Sequence, residues 1–170
     1  MYTFEIKNEL SHDELIEYFD ILKVHLASLY GGENVDKGFA SWYENRSQFS
    51  PKKFFVKMFN ENELLGYSEL MIRKDNTLYF CDIILKEKAR QTKLVFEFVK
   101  YVLNCEQFSK FDEIYMHINR NNQMSLKTWS HFNYQKLEEQ NLSNLYKIER
   151  KDIENFVRRL ESIKRHDINK

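Results

Sequence analysis

Apolar and polar residues alternate through Tyr2-Thr3-Phe4-Glu5-Ile6, the two-residue period of a half-buried strand. Ser11-His12-Asp13-Glu14 follows as a capping box, in which the Ser hydroxyl and the Glu carboxylate satisfy unpaired backbone N–H groups at a helix start. Leu15, Phe19, Leu22, Leu26 and Leu29 then recur at steps of four and three, one stripe of an amphipathic helix. Gly31-Gly32 is expected to end it, and His25, off that stripe, is expected at a solvated position. A shorter helix is expected from Val35 to Arg46, with Phe39, Trp42 and Tyr43 on its apolar face, and Pro51 breaks the pattern after it.

From Lys53 the period returns to two. Lys53 to Phe59 and Leu64 to Ile72 are β-rich runs around the polar turn Asn60-Glu61-Asn62-Glu63, a hairpin signal. After the turn Lys74-Asp75-Asn76, Leu78 to Leu85 reads as a third strand, making an antiparallel meander. The period then changes again. Leu94, Val95, Phe98, Val99, Val102 and Leu103 mark a helix, Asp112 to Ile118 a strand, and Asn122 to His131 a brief helix. Gln135 to Gln140 and Leu145 to Glu149 flank the turn Asn141 to Asn144, giving a last hairpin. Ile153, Phe156, Val157, Leu160 and Ile163 stripe a terminal helix rich in Arg and Lys.

The order β-α-α-β-β-β-α-β-α-β-β-α predicts an α/β (α+β) fold: a mixed, mostly antiparallel sheet with flanking helices and one parallel crossover. At 170 residues, with no repeat and no linker, the chain is expected to be a single domain, 1–170, with 151–170 as a C-terminal helical extension. A domain of that size buries roughly 70% of its unfolded surface.

Charge narrows the partners. The 26 basic and 26 acidic residues cancel, which leaves no global field for nucleic acid or an anionic membrane. No apolar run reaches the length of a membrane span, and the first residues lack a signal pattern, so a cytoplasmic protein is expected. Cys81 and Cys105 read as two buried free thiols of a reducing compartment, without zinc-site spacing. No Walker loop, nucleophile elbow or Rossmann fingerprint is present.

Three patterns give this order a family resemblance. Leu64-Leu65-Gly66-Tyr67 enters a strand through a glycine. Arg90-Gln91-Thr92-Lys93-Leu94-Val95 joins the strand ending at Leu85 to a helix, and an alternative register starts at Lys86. Asn122-Gln123-Met124-Ser125, then Trp129, then Asn133-Tyr134, follows an Asn-x-x-Ala-x-x-x-Tyr-x-x-x-Gly-Phe spacing. In these features the chain resembles the GNAT superfamily, which transfers acyl groups from acyl-coenzyme A to amines. The resemblance covers about Tyr2 to Arg150 and rests on topology.

The resemblance implies a GNAT-like fold and acetyl-CoA, or another acyl-CoA, as co-substrate. Its pyrophosphate would lie on the backbone of Arg90, Gln91, Thr92, Lys93, Leu94 and Val95 at the helix N-terminus. Asn122 and Ser125 would face the pantetheine arm, and a backbone N–H near Ile84 or Leu85 would polarise the thioester. The departures are specific. The loop has no glycine, and none occurs after Gly66. Trp129 stands where many members have a tyrosine that protonates the leaving thiolate, which an indole cannot do. Asn133 replaces the Gly, a swap that a left-handed helix cap tolerates.

Direct attack of an amine on a thioester needs a base. Asp82 is the one carboxylate within its strand, and Glu69 lies on the neighbouring strand. Each is either a base whose proton affinity burial raises or a carboxylate on a solvated face. His117, opposite in phase to Met116 and Ile118, is either a relay through water or a structural histidine. Two functions follow. One is an N-acyltransferase acting on a small-molecule or protein amine. The other is a non-catalytic GNAT-like module, for which the basic terminal helix offers a partner or homodimer surface.

Overall fold

The computed structural model describes residues 1–30 and 52–168. The Gly31-Gly32 stop, the helix expected over Val35 to Arg46, and Pro51 lie outside them. The chain divides into two compact units, Met1–Leu94 and Val95–Lys170.

In the first unit, β1 (Tyr2–Lys7), β2 (Lys52–Asn60), β3 (Glu63–Ile72) and β4 (Leu78–Leu85) form an antiparallel array in which each strand pairs with the next. The expected meander is there, with the Leu78–Leu85 bounds read from the sequence. Helix α1 (His12–Tyr30) lies across one face. Its capping box forms as expected: the Glu14 N–H donates to Ser11 Oγ at 3.3 Å, and the Ser11 N–H donates to Glu14 Oε2 at 2.9 Å. Beneath the helix Leu10, Leu15, Tyr18 and Ile21 pack on Phe55, Tyr67 and Ile84. The Tyr18 ring meets Phe55 and Tyr67 edge-on, at 5.8 and 5.6 Å between centroids, the arrangement aromatic quadrupoles favour.

Gly66 is the point of closest approach within this array. A Cβ there would lie 2.2 Å from the Ile84 carbonyl oxygen, so only glycine lets β3 and β4 pair at this register.

The second unit carries β5 (Glu113–Asn119), which pairs antiparallel with β7 (Ser143–Glu149), and β7 pairs with β6 (Gln135–Glu139). Helix α2 (Leu94–Asn104) leads into this unit, α3 (Gln123–Ser130) precedes β6, and α4 (Arg150–Ile168) follows β7. Ile114, Met116 and Ile118 are buried, as their shared phase requires. Arg150 knots the unit: its guanidinium donates to the carbonyls of Leu103 (3.0 Å), Phe108 (2.8 Å) and Phe111 (2.9 Å). Phe96, Phe132 and Phe156 form an aromatic cluster with centroids 4.9 to 5.5 Å apart.

Candidate active site

Register decides which side chains meet beneath α1. Paired residues of antiparallel strands share a face, and β2 pairs Phe55 with Glu69 and Lys57 with Tyr67. On the next strand Tyr67 faces Ile84, and Glu69 faces Asp82. Leu70 then pairs with Phe80, so Cys81 is the extra residue of a β-bulge. Without it Asp82 and Phe80 would share a face. The bulge turns Asp82 towards α1 and Phe80 away.

The resulting face is polar where a sheet under a helix is usually apolar. At one end Glu14 Oε1 receives Lys7 and Lys57, each at 2.6 Å. Burial pushes the Glu14 carboxyl up, but bonds from Lys57, Lys7 and the Ser11 backbone outweigh it and bring it down to about 2. Next along the helix Glu17 takes the Tyr67 hydroxyl at 3.0 Å and the Lys86 ammonium at 3.1 Å.

At the centre, Tyr18 is fully buried and donates to Asp82 Oδ2 at 2.5 Å, with Glu69 Oε2 at 3.5 Å from the same hydroxyl. The Glu69 N–H donates to Asp82 Oδ1 at 3.2 Å, and Lys53 Nζ stands 2.6 Å from Glu69 Oε1. Two carboxylates thus flank one hydroxyl, and the cation sits on Glu69. Burial, then the Glu69 charge, pushes the Asp82 carboxyl up to about 7, against the pull of the Tyr18 bond and Lys53. Burial, then the carboxylates, raises the Tyr18 phenol well above its usual range, so it stays a donor. Cys81 is held protonated by the same causes, burial first.

Strand β4 ends under a second cluster. His25 is half-buried, with Nε2 3.1 Å from the Leu85 carbonyl oxygen and 3.3 Å from the Leu85 nitrogen. The expectation of a solvated His25 is therefore corrected. Protonated on Nε2 it donates to the carbonyl, and protonated on Nδ1 it accepts from the N–H. Burial, assisted by the Arg90 charge, lowers its proton affinity despite the Leu85 bond. Arg90 Nε also reaches the Leu85 oxygen, at 3.4 Å. Ile84 and Leu85 are buried.

The turn from β4 to α2 keeps one property of a glycine loop. Gln91 has φ of +61°, a left-handed conformation that costs a non-glycine residue about 1–2 kcal/mol. Thr92 caps the helix, its hydroxyl donating to the Ala89 carbonyl at 2.7 Å and accepting the Leu94 N–H at 3.2 Å. Gln91, Thr92 and Lys93 are exposed, and Leu94 is buried. Two neighbouring cations are engaged by carboxylates, Lys86 by Glu17 and Lys88 by Glu63.

In the second unit Val95 follows at the start of α2 and is half-buried. Asn122 is the N-cap of α3, its side-chain oxygen accepting the Ser125 N–H at 3.0 Å. Trp129 is buried, 5.4 Å from Phe132 between ring centroids. Asn133 has φ of +55°, the left-handed cap expected where the family has glycine. His117, half-buried on β5, pairs with Leu145 in the register. Of the sequence-derived base candidates, Asp82 and Glu69 are brought together, and His117 belongs to the other unit.

Solved structures resemble this chain over most of its length. The PaiA N-acetyltransferase of Thermoplasma acidophilum, solved with coenzyme A, matches at a TM-score of 0.60 and 16% identity, over 86% of this chain and 99% of its own. The chain has the GNAT fold. The Campylobacter jejuni N-acetyltransferase PseH, solved with acetyl coenzyme A, matches at 0.59 and 16% identity, over 88% of this chain and 99% of its own. The spermidine N-acetyltransferase of Vibrio cholerae, with CoA and spermine, matches at 0.61 and 14% identity, over 88% and 97%. No family model and no curated protein matches the sequence. The expected mixed α/β class with flanking helices is the one the GNAT fold has.

Tyr18, Lys53 and His25 are among the residues of the site that the sequence pattern does not assign to it. The sheet-facing side of α1 carries Glu14, Tyr18, Ile21 and His25 together with Leu15 of the expected stripe. The available signal was polar residues, Glu14, Glu17, Tyr18 and His25, recurring at helical spacing.

Proposed function

We propose that the chain is an acyl-coenzyme A-dependent N-acyltransferase acting on the amine of a small molecule or protein. One observation carries it: Asp82, on β4 of a GNAT fold, sits in a polar cluster beneath α1 with its carboxyl raised to about 7. A base works best when its proton affinity lies near the operating pH. Asp82 takes a proton from the acceptor ammonium, and the neutral amine attacks the thioester carbonyl carbon. The C–N bond forms, the nitrogen gives its second proton to solvent, the C–S bond breaks, and coenzyme A leaves as the thiolate. With Trp129 in the tyrosine position, that thiolate takes its proton from solvent.

The residues present fit the co-substrate in part. Left-handed Gln91 supports a turn of the shape a phosphate cradle needs, and Lys93 adds an exposed cation. Gln91 to Leu94 would hold the pyrophosphate. Acetyl-CoA in the solved PseH structure supports acetyl-CoA as the donor to test first.

A second function, a non-catalytic module of the same fold, is favoured by the strand end. His25 and Arg90 stand on the Leu85 polar groups that a thioester would use. Calorimetric titration with acetyl-CoA separates the two. The acyltransferase gives saturable binding and a thermal shift at up to millimolar ligand. Neither signal at that concentration overturns it.

A further inference from the structure

The centre of the site holds more charge than one base needs. Glu69 and Asp82 occupy directly opposed positions of the β3–β4 register, on the face that α1 covers. Two carboxylates so placed in a medium of low effective dielectric cannot both ionise without repulsion. The geometry divides them. Glu69 has the ammonium of Lys53 at 2.6 Å on one oxygen and the Tyr18 hydroxyl at 3.5 Å from the other. Asp82 accepts from two neutral donors, the Tyr18 hydroxyl at 2.5 Å and the Glu69 N–H at 3.2 Å. The Lys53 ammonium is thereby held on Glu69, and the Glu69 charge opposes ionisation of Asp82.

We infer that Glu69, clamped by Lys53, is a positioning residue that acts through Asp82 by setting whether that carboxyl holds a proton at neutral pH. Within the first unit the ionisable groups around Asp82 come from α1, β2, β3 and β4. Lys53 lies on β2, Glu69 on β3, Cys81 on β4 and Tyr18 on α1, and Arg73, after β3, acts on Cys81 beside it. Tyr18 and Cys81 stay protonated, so Glu69 and Lys53 are the two charges that set the balance, in opposite directions. Glu69 is buried and Asp82 half-buried, and Lys53, 22% exposed at its side chain, joins Glu69 to solvent.

The kinetic consequence rests on the acyltransferase function. The charge coupling does not. The experiment therefore follows the Asp82 carboxyl directly, by carbon NMR of aspartate labelled at the side-chain carboxyl, with D82N to assign the resonance. E69Q should lower the midpoint of its titration by about one pH unit or more, and K53M should raise it. Since E69Q changes a buried residue, K53M, at a residue 22% exposed, is the second variant. Midpoints unchanged in both would overturn the inference, as would both moving in the same direction. In parallel, the acid limb of kcat/KM should move with the midpoint while the KM for acetyl-CoA holds. Titration shifts without turnover would sink the acyltransferase function and leave the coupling. Turnover with an unmoved acid limb would do the reverse.

Discussion

The Tyr18 hydroxyl donates a 2.5 Å hydrogen bond to Asp82, joining α1 to β4 across 64 residues of chain. That bond favours the charged carboxylate, and burial opposes it. Y18F keeps the ring, its edge contacts with Phe55 and Tyr67, and nearly all of its volume. It should destabilise the protein by about 1.5–3 kcal/mol, the range for a bond to a charged partner. It should also move the Asp82 titration to higher pH. Denaturant unfolding at two pH values reads the first effect, and the NMR titration reads the second.

Stability should depend on pH in two windows of opposite sign. Asp82, raised above its unfolded value, contributes stability that is present below about pH 4 and lost as pH rises through about 7. D82N should flatten that decline. Glu14, lowered to about 2, contributes stability that is present above its ordinary value near 4.5 and lost as pH falls through about 2. E14Q should lose about 2–3 kcal/mol at neutral pH and little at pH 2. Unfolding midpoints from pH 2 to 8 check both.

Gln91→Gly should raise stability by about 1 kcal/mol, because φ of +61° strains Gln and costs glycine nothing. It also opens the backbone at the helix start. A gain in acetyl-CoA affinity with the gain in melting temperature would mark this turn as the phosphate cradle.

Arg150→Ala removes the donors to three carbonyls, those of Leu103, Phe108 and Phe111. Leaving buried acceptors unpaired should cost about 3 kcal/mol or more. Lys reaches one of the three at most, so Arg150→Lys should recover only part of the loss. Thermal unfolding of both variants tests this.

Much of the fold is legible in the chain because period is a local property. Leu78 to Leu85 reads as a strand from its own composition, and the Leu94 to Leu103 stripe marks its helix. Even Asn133 discloses its left-handed backbone by its type and place. The site is not local. Tyr18 meets Asp82, and His25 meets Leu85, across 64 and 60 residues. The bulge at Cys81 that turns Asp82 towards α1 has no glycine to announce it. In the sequence Glu69 reads as a buried base or a solvated carboxylate, and only register sets it against Asp82 and Lys53.

Amine-dependent release of coenzyme A thiol from acetyl-CoA, measured across a panel of primary amines for the wild type and D82N, tests the acyltransferase function most directly. The wild type should release thiol only when an acceptor is present, and D82N should be slower by about 10²–10⁴-fold while still binding acetyl-CoA. Release that is equal in the two proteins, or absent with every amine despite bound acetyl-CoA, would contradict it.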